Sequence, residues 1–181
     1  MKTPFVLVSI FLLVLIVVFI YLFVFDSTRD QEDKFLSVPP CAFVMANTWH
    51  YNKDELTFWR DHLNLYFTDK AGDAPWAHAP VYLPDGAVVK KLLIYCTDND
   101  NNPENELSFG LGRSKHEAEE SEALASIYYC SMQPSPNRII LEDDSIDYPQ
   151  INNNDYSYWL YIEIENPSQD VKFYGAKIIY E

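Results

Sequence analysis

Residues 98–104 read Asp-Asn-Asp-Asn-Asn-Pro-Glu, a run of carboxylate and amide oxygens. Hard oxygen ligands of this kind suit Ca²⁺. An EF-hand loop needs glycine at its sixth place and glutamate at its twelfth, where this chain has Pro103 and Phe109. An EF-hand is therefore excluded, and two interpretations remain: a looser calcium loop between strands, or a solvated turn. The calcium interpretation takes its ligands from Asp98, Asp100 and Asn102. No other cofactor is indicated.

Three cysteines are a second candidate for chemistry: Cys41, Cys96 and Cys130. Outside the cytoplasm a disulfide is permitted, and the odd count leaves one thiol over. Cys96 and Cys130 both lie near the ends of predicted strands and can point inward. A disulfide between them and three buried free thiols therefore both stay open. A cysteine metal site is disfavoured because the spacings are long and no Cys-x-x-Cys occurs.

Aromatic residues on the stretch Tyr156–Ile164 are the third candidate. Its strict alternation puts Trp159 and Tyr161 on one face of a strand, together with Ser157 and Glu163. A row of exposed aromatic rings can stack on sugar rings while neighbouring acids and amides bind the hydroxyls. The alternative, which the sequence favours, is burial under residues 48–70 or contact with a partner chain. Trp159 and Tyr161 are thus the predicted partner- or ligand-binding residues.

Catalytic residues are not predicted. Carboxylates are abundant, for example Asp143, Asp144 and Asp147, and a glycosidase pair of two acids has no sequence signature. The chain contains no Gly-x-Ser-x-Gly, His-Glu-x-x-His or phosphate-binding loop. Its four histidines are scattered and show no spacing typical of metal ligands. We therefore expect a protein that is not an enzyme.

The elements that would position these residues are short strands. Thirteen tyrosines and eleven phenylalanines favour strands, and Pro84-Asp85-Gly86 has the chemistry of a tight turn. No long crossover helix separates the strands. The pattern predicts an all-β, jelly-roll-like antiparallel β-sandwich over residues 38–181. The predicted strands are residues 41–45, 63–68, 87–97, 107–112, 125–132, 138–141, 156–164 and 171–180.

An apolar run from Pro4 to Phe25 precedes this domain, with Ser9 as its only strongly polar member. A helix of this length is roughly 33 Å long, enough for a hydrocarbon core of about 30 Å. A cleaved signal peptide has a shorter apolar region of roughly 7–15 residues and a small-x-small cleavage site, and the exit of this run has none. Residues 1–25 are therefore predicted to be a short cytoplasmic tail and an uncleaved transmembrane anchor in the bilayer.

Orientation follows from the lengths on either side of the predicted span. Only three residues precede it, whereas a whole domain follows, so the N-terminus is expected in the cytoplasm and the domain in the periplasm or extracellular space. The Lys/Arg bias of the flanks is weak. Residues 26–37 are charged and are predicted to be a stalk that keeps the domain near the membrane.

The charge of the chain restricts its partners. Its formal net charge is −14, and residues 1–25 carry only Lys2. The negative charge therefore belongs to the domain. Such a charge argues against nucleic acid and against anionic lipid as partners of the domain.

Several turn and strand motifs resemble a group of poorly characterised bacterial extracytoplasmic domains. The motifs are His78-x-Pro80-Val81-x-Leu83-Pro84-Asp85-Gly86-Ala87, Tyr95 followed by Asp98-Asn99, Tyr156-x-Tyr158, and Tyr174-Gly175-x-x-Ile178-x-Tyr180. The resemblance covers roughly residues 38–181 and implies a jelly-roll-like sandwich. It implies no catalytic residues, and residues 48–70 and Cys41 depart from it.

Two function classes follow from these observations. The first is a non-catalytic accessory or scaffold subunit, anchored in the membrane and bound to other proteins of a membrane or surface assembly. Tyrosine and tryptophan, the residues of the predicted contact face, are favoured at protein interfaces. The second is a ligand-binding module at the cell surface, with carbohydrate as the expected ligand.

Overall fold

A computed structural model describes residues 33–45, 57–60, 64–68, 76–101, 106–130, 134–165, 168 and 170–181. Within these ranges no helix has the length and apolar character needed to cross a membrane. The apolar run of residues 4–25 lies outside them, as do residues 26–32 of the predicted stalk. The transmembrane anchor therefore stays a prediction.

The described residues form eleven strands and one short 3₁₀ turn at Pro40–Ala42. The strands are β1 Lys34–Val38, β2 Val44–Met45, β3 Thr57–Arg60, β4 Leu65–Thr68, β5 Trp76–Val81, β6 Val89–Asp98, β7 Glu106–Lys115, β8 Ser121–Cys130, β9 Ser135–Asp143, β10 Tyr156–Glu165 and β11 Val171–Tyr180.

These strands form two sheets in which every described strand pair is antiparallel. Sheet A has the order β3-β4-β11-β6-β9, and β1 also pairs with β11. Sheet B has the order β2-β5-β10-β7-β8. The neighbours in each sheet are mostly distant in sequence, as in jelly-roll folds. The prediction of an all-β antiparallel sandwich is confirmed.

The core lies between the inner faces of the two sheets, where apolar residues alternate with outward-facing ones. On β10, Tyr158, Leu160, Ile162 and Ile164 are all buried, as the period-two pattern predicted. Three phenylalanine rings join the sheets at the centre. The Phe173 ring lies 5.0 Å from the ring of Phe43 and 6.0 Å from that of Phe109, measured between centroids. The fold thus rests on a core of ordinary apolar packing.

The start of the domain differs from the prediction. Residues 34–37, assigned to the stalk, belong to β1, which pairs with β11 from Lys34 opposite Tyr180 to Val38 opposite Ala176. This strand was not predicted because charged residues come directly before it. Residues 41–45, predicted as one strand, are divided because Pro40 opens a 3₁₀ turn and pairing resumes only at β2.

The predicted turn at residues 84–86 and the strand predicted within residues 48–70 are both present in the structure. Gly86 has φ of +79°, and the amide of Ala87 donates to the carbonyl of Pro84 at 3.1 Å, as expected for the Pro-Asp-Gly turn. Within residues 48–70, β4 confirms the strand predicted at 63–68. Both β3 and β4 belong to sheet A.

Candidate functional site

The outer face of sheet B carries the aromatic residues that the sequence singled out. Alternation along β10 turns Trp159 and Tyr161 outward, and both are half-buried. In the register with β7, Trp159 lies opposite Gly112 and Tyr161 opposite Gly110. Each aromatic residue therefore has a glycine as its direct cross-strand neighbour.

The two glycines leave the space in which the rings lie. A Cβ atom at Gly112 would come within 2.7 Å of Cζ2 of the Trp159 indole, and one at Gly110 would overlap the Tyr161 ring. The two aromatic rings are 5.6 Å apart between centroids and tilted by 50°. Because neither glycine has a side chain, both rings lie across β7 and form a continuous aromatic surface.

Hydrogen bonds hold this surface in place. The indole Nε1 of Trp159 donates to Oγ of Ser114 at 3.0 Å. The hydroxyls of Tyr161 and Ser126 are 3.5 Å apart. Rings that are already fixed lose little conformational entropy when a ligand binds, which favours affinity.

A groove of about 340 Å³ runs along this surface, and we call it the aromatic groove. Its lining residues are aromatic, hydroxyl-bearing or acidic, with one alanine, and none of the described lining residues is a lysine or arginine. They are Glu106, Ser108, Ser121, Glu122, Ala123, Tyr128, Trp159, Tyr161, Glu163 and Glu165. The groove thus combines flat apolar surfaces with hydrogen-bonding groups and a negative charge.

Further aromatic residues lie on the same face beyond the groove. On β5, His78 pairs with Tyr161 and Trp76 pairs with Glu163. The rings of Trp76 and His78 are 5.9 Å apart between centroids. The aromatic surface therefore extends across at least two strands of sheet B.

One glutamate of the groove, Glu122, is paired with Arg113, which does not itself line the groove. Its Nη2 and Nε atoms lie 2.6 and 2.7 Å from Oε2 of Glu122, and its guanidinium lies between the rings of Tyr148 and Tyr156, 4.2 and 4.1 Å from their centroids. Burial alone would lower the pKa of Arg113, but the hydrogen bond and the charge of Glu122 more than offset this, and the net shift is upward. Arg113 therefore stays charged and neutralises Glu122.

This arrangement suits a ligand with flat apolar faces and many hydroxyls. Aromatic rings supply contact area for such faces, and carboxylates and serine hydroxyls bind hydroxyl groups. The alternative was that residues 48–70 bury Trp159 and Tyr161. The described strands of that stretch, β3 and β4, belong to sheet A, whereas the two aromatic residues lie on sheet B, so these strands give that alternative no support.

Sequence reasoning found the two rings but missed most of their surroundings. The alternation of large and tiny residues along Leu107–Gly112 was visible, yet its meaning depends on the register with β10. Tyr128 and the residues of β8 and β7 in the groove had no signal of their own. Only the pairing of distant strands brings them together.

The predicted calcium ligands are only partly described. Asp98 ends β6 with 2% of its surface exposed, and one of its carboxylate oxygens accepts a hydrogen bond from the amide of Asp100 at 3.1 Å. Asn102 lies outside the described residues. Among those that are described, no three acidic, histidine or cysteine side chains are grouped as metal ligands. The calcium loop stays a prediction.

The carboxylates considered for a glycosidase pair have a structural role at one position. Asp143 accepts hydrogen bonds from the backbone amides of Ser126 at 2.9 Å and Ser145 at 2.8 Å. These bonds connect β8, the end of β9 and the loop after it. Asp143 therefore holds backbone in place.

Of the predicted disulfide pair, the structure describes one side chain. Cys96 is fully buried, and the side chain of Cys130 lies outside the described residues, so the bridge between them stays a prediction. Cys41 is exposed, which differs from the alternative of three buried thiols. Burial raises the pKa of the Cys96 thiol from 9.0 to about 12, and the charge of Asp98 adds to the rise.

Cys96 is accordingly expected to resist alkylation in the native protein. At pH 8 iodoacetamide should modify the exposed Cys41, and Cys96 only after denaturation. Because the folded-state pKa is raised, the stabilising effect of the neutral thiol is full below about pH 9 and is lost as the pH rises towards 12. Mass spectrometry of native and denatured samples without reductant checks this. A Cys96 that cannot be alkylated even in denaturant would instead indicate the bridge to Cys130.

Comparison with known proteins adds the class of fold. No protein-family model and no curated protein matches the chain. Among solved structures it is similar to the CBM22-1–GH10 modules of Clostridium thermocellum endo-1,4-β-D-xylanase 10B in complex with xylohexaose, with 13% identity and a TM-score of 0.50. This match covers 82% of the chain but only 28% of the xylanase structure.

Two further solved structures are single modules. One is the xylan-binding module CBM15, with 9% identity, a TM-score of 0.48, and coverage of 81% of this chain and 96% of the module. The other is a family 29 carbohydrate-binding module from Piromyces equi, with 12% identity, a TM-score of 0.43, and coverage of 82% and 90%. At these identities a likeness shows the fold alone. What the likeness to the xylanase structure supports is the two-sheet antiparallel β-sandwich itself.

Proposed function

We propose that this chain is a non-catalytic carbohydrate-binding protein that binds a neutral glycan strand in the aromatic groove. The observation that carries the proposal is the pair of rings, Trp159 and Tyr161, lying across two glycines and lining a groove with hydroxyl and carboxylate groups. The accessory-subunit interpretation used the same two residues. A groove with fixed rings and hydrogen-bonding groups fits a small repetitive ligand better than it fits a flat protein surface.

The charge of the groove restricts the glycan. Four glutamates line it, none of its described lining residues is a lysine or arginine, and one of the four, Glu122, is paired with Arg113. A glycan with carboxylate or sulfate groups would bring like charges together, which is unfavourable. Neutral sugars accept and donate hydrogen bonds without this repulsion. The proposed ligand is therefore an uncharged polysaccharide or oligosaccharide.

Location forms the second half of the proposal. With residues 4–25 as the anchor, the sandwich would lie outside the cytoplasm, where polysaccharides of cell surfaces and surroundings are accessible. Protease added to intact cells or spheroplasts should then digest the domain. A mature N-terminus between Phe25 and Cys41 would show instead that the apolar run is a cleaved signal.

The glycan proposal is tested with the full chain in a mild detergent. Native gels containing soluble xylan, mixed-linkage β-glucan or mannan should retard the protein, and at least one should do so markedly. The retardation should change little with salt, because no charges are neutralised on binding. Stoichiometric protein companions in the same preparation, without retardation by any neutral glycan, would favour the accessory-subunit interpretation and overturn this one.

A further inference from the structure

The outer face of sheet A carries a second groove of opposite charge. It has a volume of about 430 Å³ and runs where β1 meets β11, and we call it the cationic groove. Among its described lining residues there is no aspartate or glutamate, although the chain as a whole has a net charge of −14. Its aromatic and charged members are Phe35, Tyr95, Arg138, Tyr174 and Lys177.

Aromatic rings hold both cations of this groove. Nζ of Lys177 lies 3.9 Å from the centroid of the Phe35 ring, and Cζ of Arg138 lies 4.1 Å from that of Tyr174. Within the described part of the chain neither cation forms an ion pair with a carboxylate, whereas Lys90, Lys91 and Arg113 each do. Cation–π contact orients a charge without neutralising it. Both charges therefore stay available to a ligand.

The backbone at the centre of the groove has an unusual conformation. Gly175 has φ of +129°, and a Cβ atom there would lie 3.1 Å from the carbonyl oxygen of Val38. The register between β11 and β6 shifts between Phe173 and Gly175, a β-bulge that gives Tyr174 no direct partner on β6. Bulges of this kind redirect a side chain. Here the redirected side chain is that of Tyr174, whose ring contacts the guanidinium of Arg138.

Positions on β11 give the spacing of the two cations. The ring of Tyr174, which holds the guanidinium of Arg138, belongs to the residue three positions before Lys177. Three residues along a strand correspond to roughly 10 Å at about 3.3 Å per residue. Tyr95 lies opposite Gly175, between these two positions. The groove thus presents two positive charges separated by a tyrosine beside a residue with no side chain.

We infer that the cationic groove binds a strand of an anionic polysaccharide whose sugar rings carry carboxylates, a polyuronate. A ligand that meets both cations needs negative groups repeated over roughly 10 Å, which a single small anion does not have. The guanidinium of Arg138 matches the geometry of a carboxylate, and Tyr95 offers a face for the ring between two charged units. This site is independent of the aromatic groove and of the neutral glycan proposed for it.

The test uses the full chain in non-ionic detergent and oligogalacturonates as the probe, measured by calorimetry and on native gels. The unmodified protein should bind, and binding should weaken with added salt because exposed charges are screened. Arg138→Gln with Lys177→Gln should weaken binding at least about tenfold, since two charge-assisted contacts are lost. Tyr95→Ser should weaken it too.

Matched controls separate this site from general charge effects. Lys90→Gln with Lys115→Gln removes the same charge elsewhere and should leave oligogalacturonate binding unchanged, as should Trp159→Ala. Thermal unfolding confirms that each variant is folded. The inference is overturned by equal binding of the Arg138/Lys177 variant, by equal loss in the Lys90/Lys115 control, by equally tight binding of inorganic phosphate, or by preference for single-stranded RNA.

Discussion

Trp159→Ala is expected to weaken binding of a neutral glycan by about 30-fold, equivalent to about 2 kcal/mol, the size of a typical tryptophan hot spot. The indole is the largest ring of the aromatic groove, is fixed by its bond to Ser114, and lies directly over Gly112. Truncation removes the contact surface and leaves a gap over β7. Affinity gels with the glycan that binds the unmodified protein give the measurement.

A second variant, Gly112→Ala, tests the position of the Trp159 indole. Gly112→Ala would place a Cβ within 2.7 Å of the indole, and the indole must then move off β7. We expect a loss comparable to that of Trp159→Ala although no aromatic atom is removed. Phe35→Ala, an aromatic truncation on the other sheet, is the matched control and should bind normally. Binding that survives Trp159→Ala in a folded protein would place the glycan elsewhere.

Phe173→Ala is expected to lower the free energy of unfolding by about 3–5 kcal/mol. The ring is 2% exposed and lies between Phe43 and Phe109, so its removal leaves a cavity that joins both sheets. Domains of this size are stable by about 5–15 kcal/mol, so the loss is a large fraction of the total. Urea unfolding followed by tryptophan fluorescence should show a lower midpoint with a similar slope.

Ile140→Ala is the control for this effect. Ile140 also lies in sheet A, but 58% of its surface is exposed, and its truncation should change stability by no more than about 0.5 kcal/mol. A Phe173 variant that unfolds at the same urea concentration as the Ile140 variant would contradict the central position assigned to the three phenylalanines.

The fold class and one half of the aromatic groove could be predicted from sequence because both depend on local periodicity. Alternation along β10 correctly separated buried Leu160 from outward Trp159, and the turn ending at Gly86 was recognised from its residues. These signals need only neighbouring residues. The last predicted strand, residues 171–180, has the predicted ends, and the other predicted strands of the C-terminal half appear with shifted ends.

The features that could not be predicted from the sequence depend on which strands pair. The meaning of Gly110 and Gly112 follows only from the register that sets them opposite two aromatic rings on a strand about fifty residues later. The cationic groove has the same origin, because Arg138 and Lys177 come from different strands and face outward on one sheet. Strand β1 was missed because its apolar residues follow a charged run, and pairing with β11 is what orders it.

The pairing of β1 with β11 brings the beginning and the end of the sandwich together. Lys34 lies opposite Tyr180, and Val88 exchanges two backbone hydrogen bonds with Glu181 on the other side. Cα atoms opposite each other on antiparallel strands are about 4.5–5.5 Å apart, a gap that a linker of a few residues spans. A short linker between Lys34 and Tyr180 is therefore expected to allow a circular permutation of the domain at one of its surface loops, with the path of both sheets unchanged.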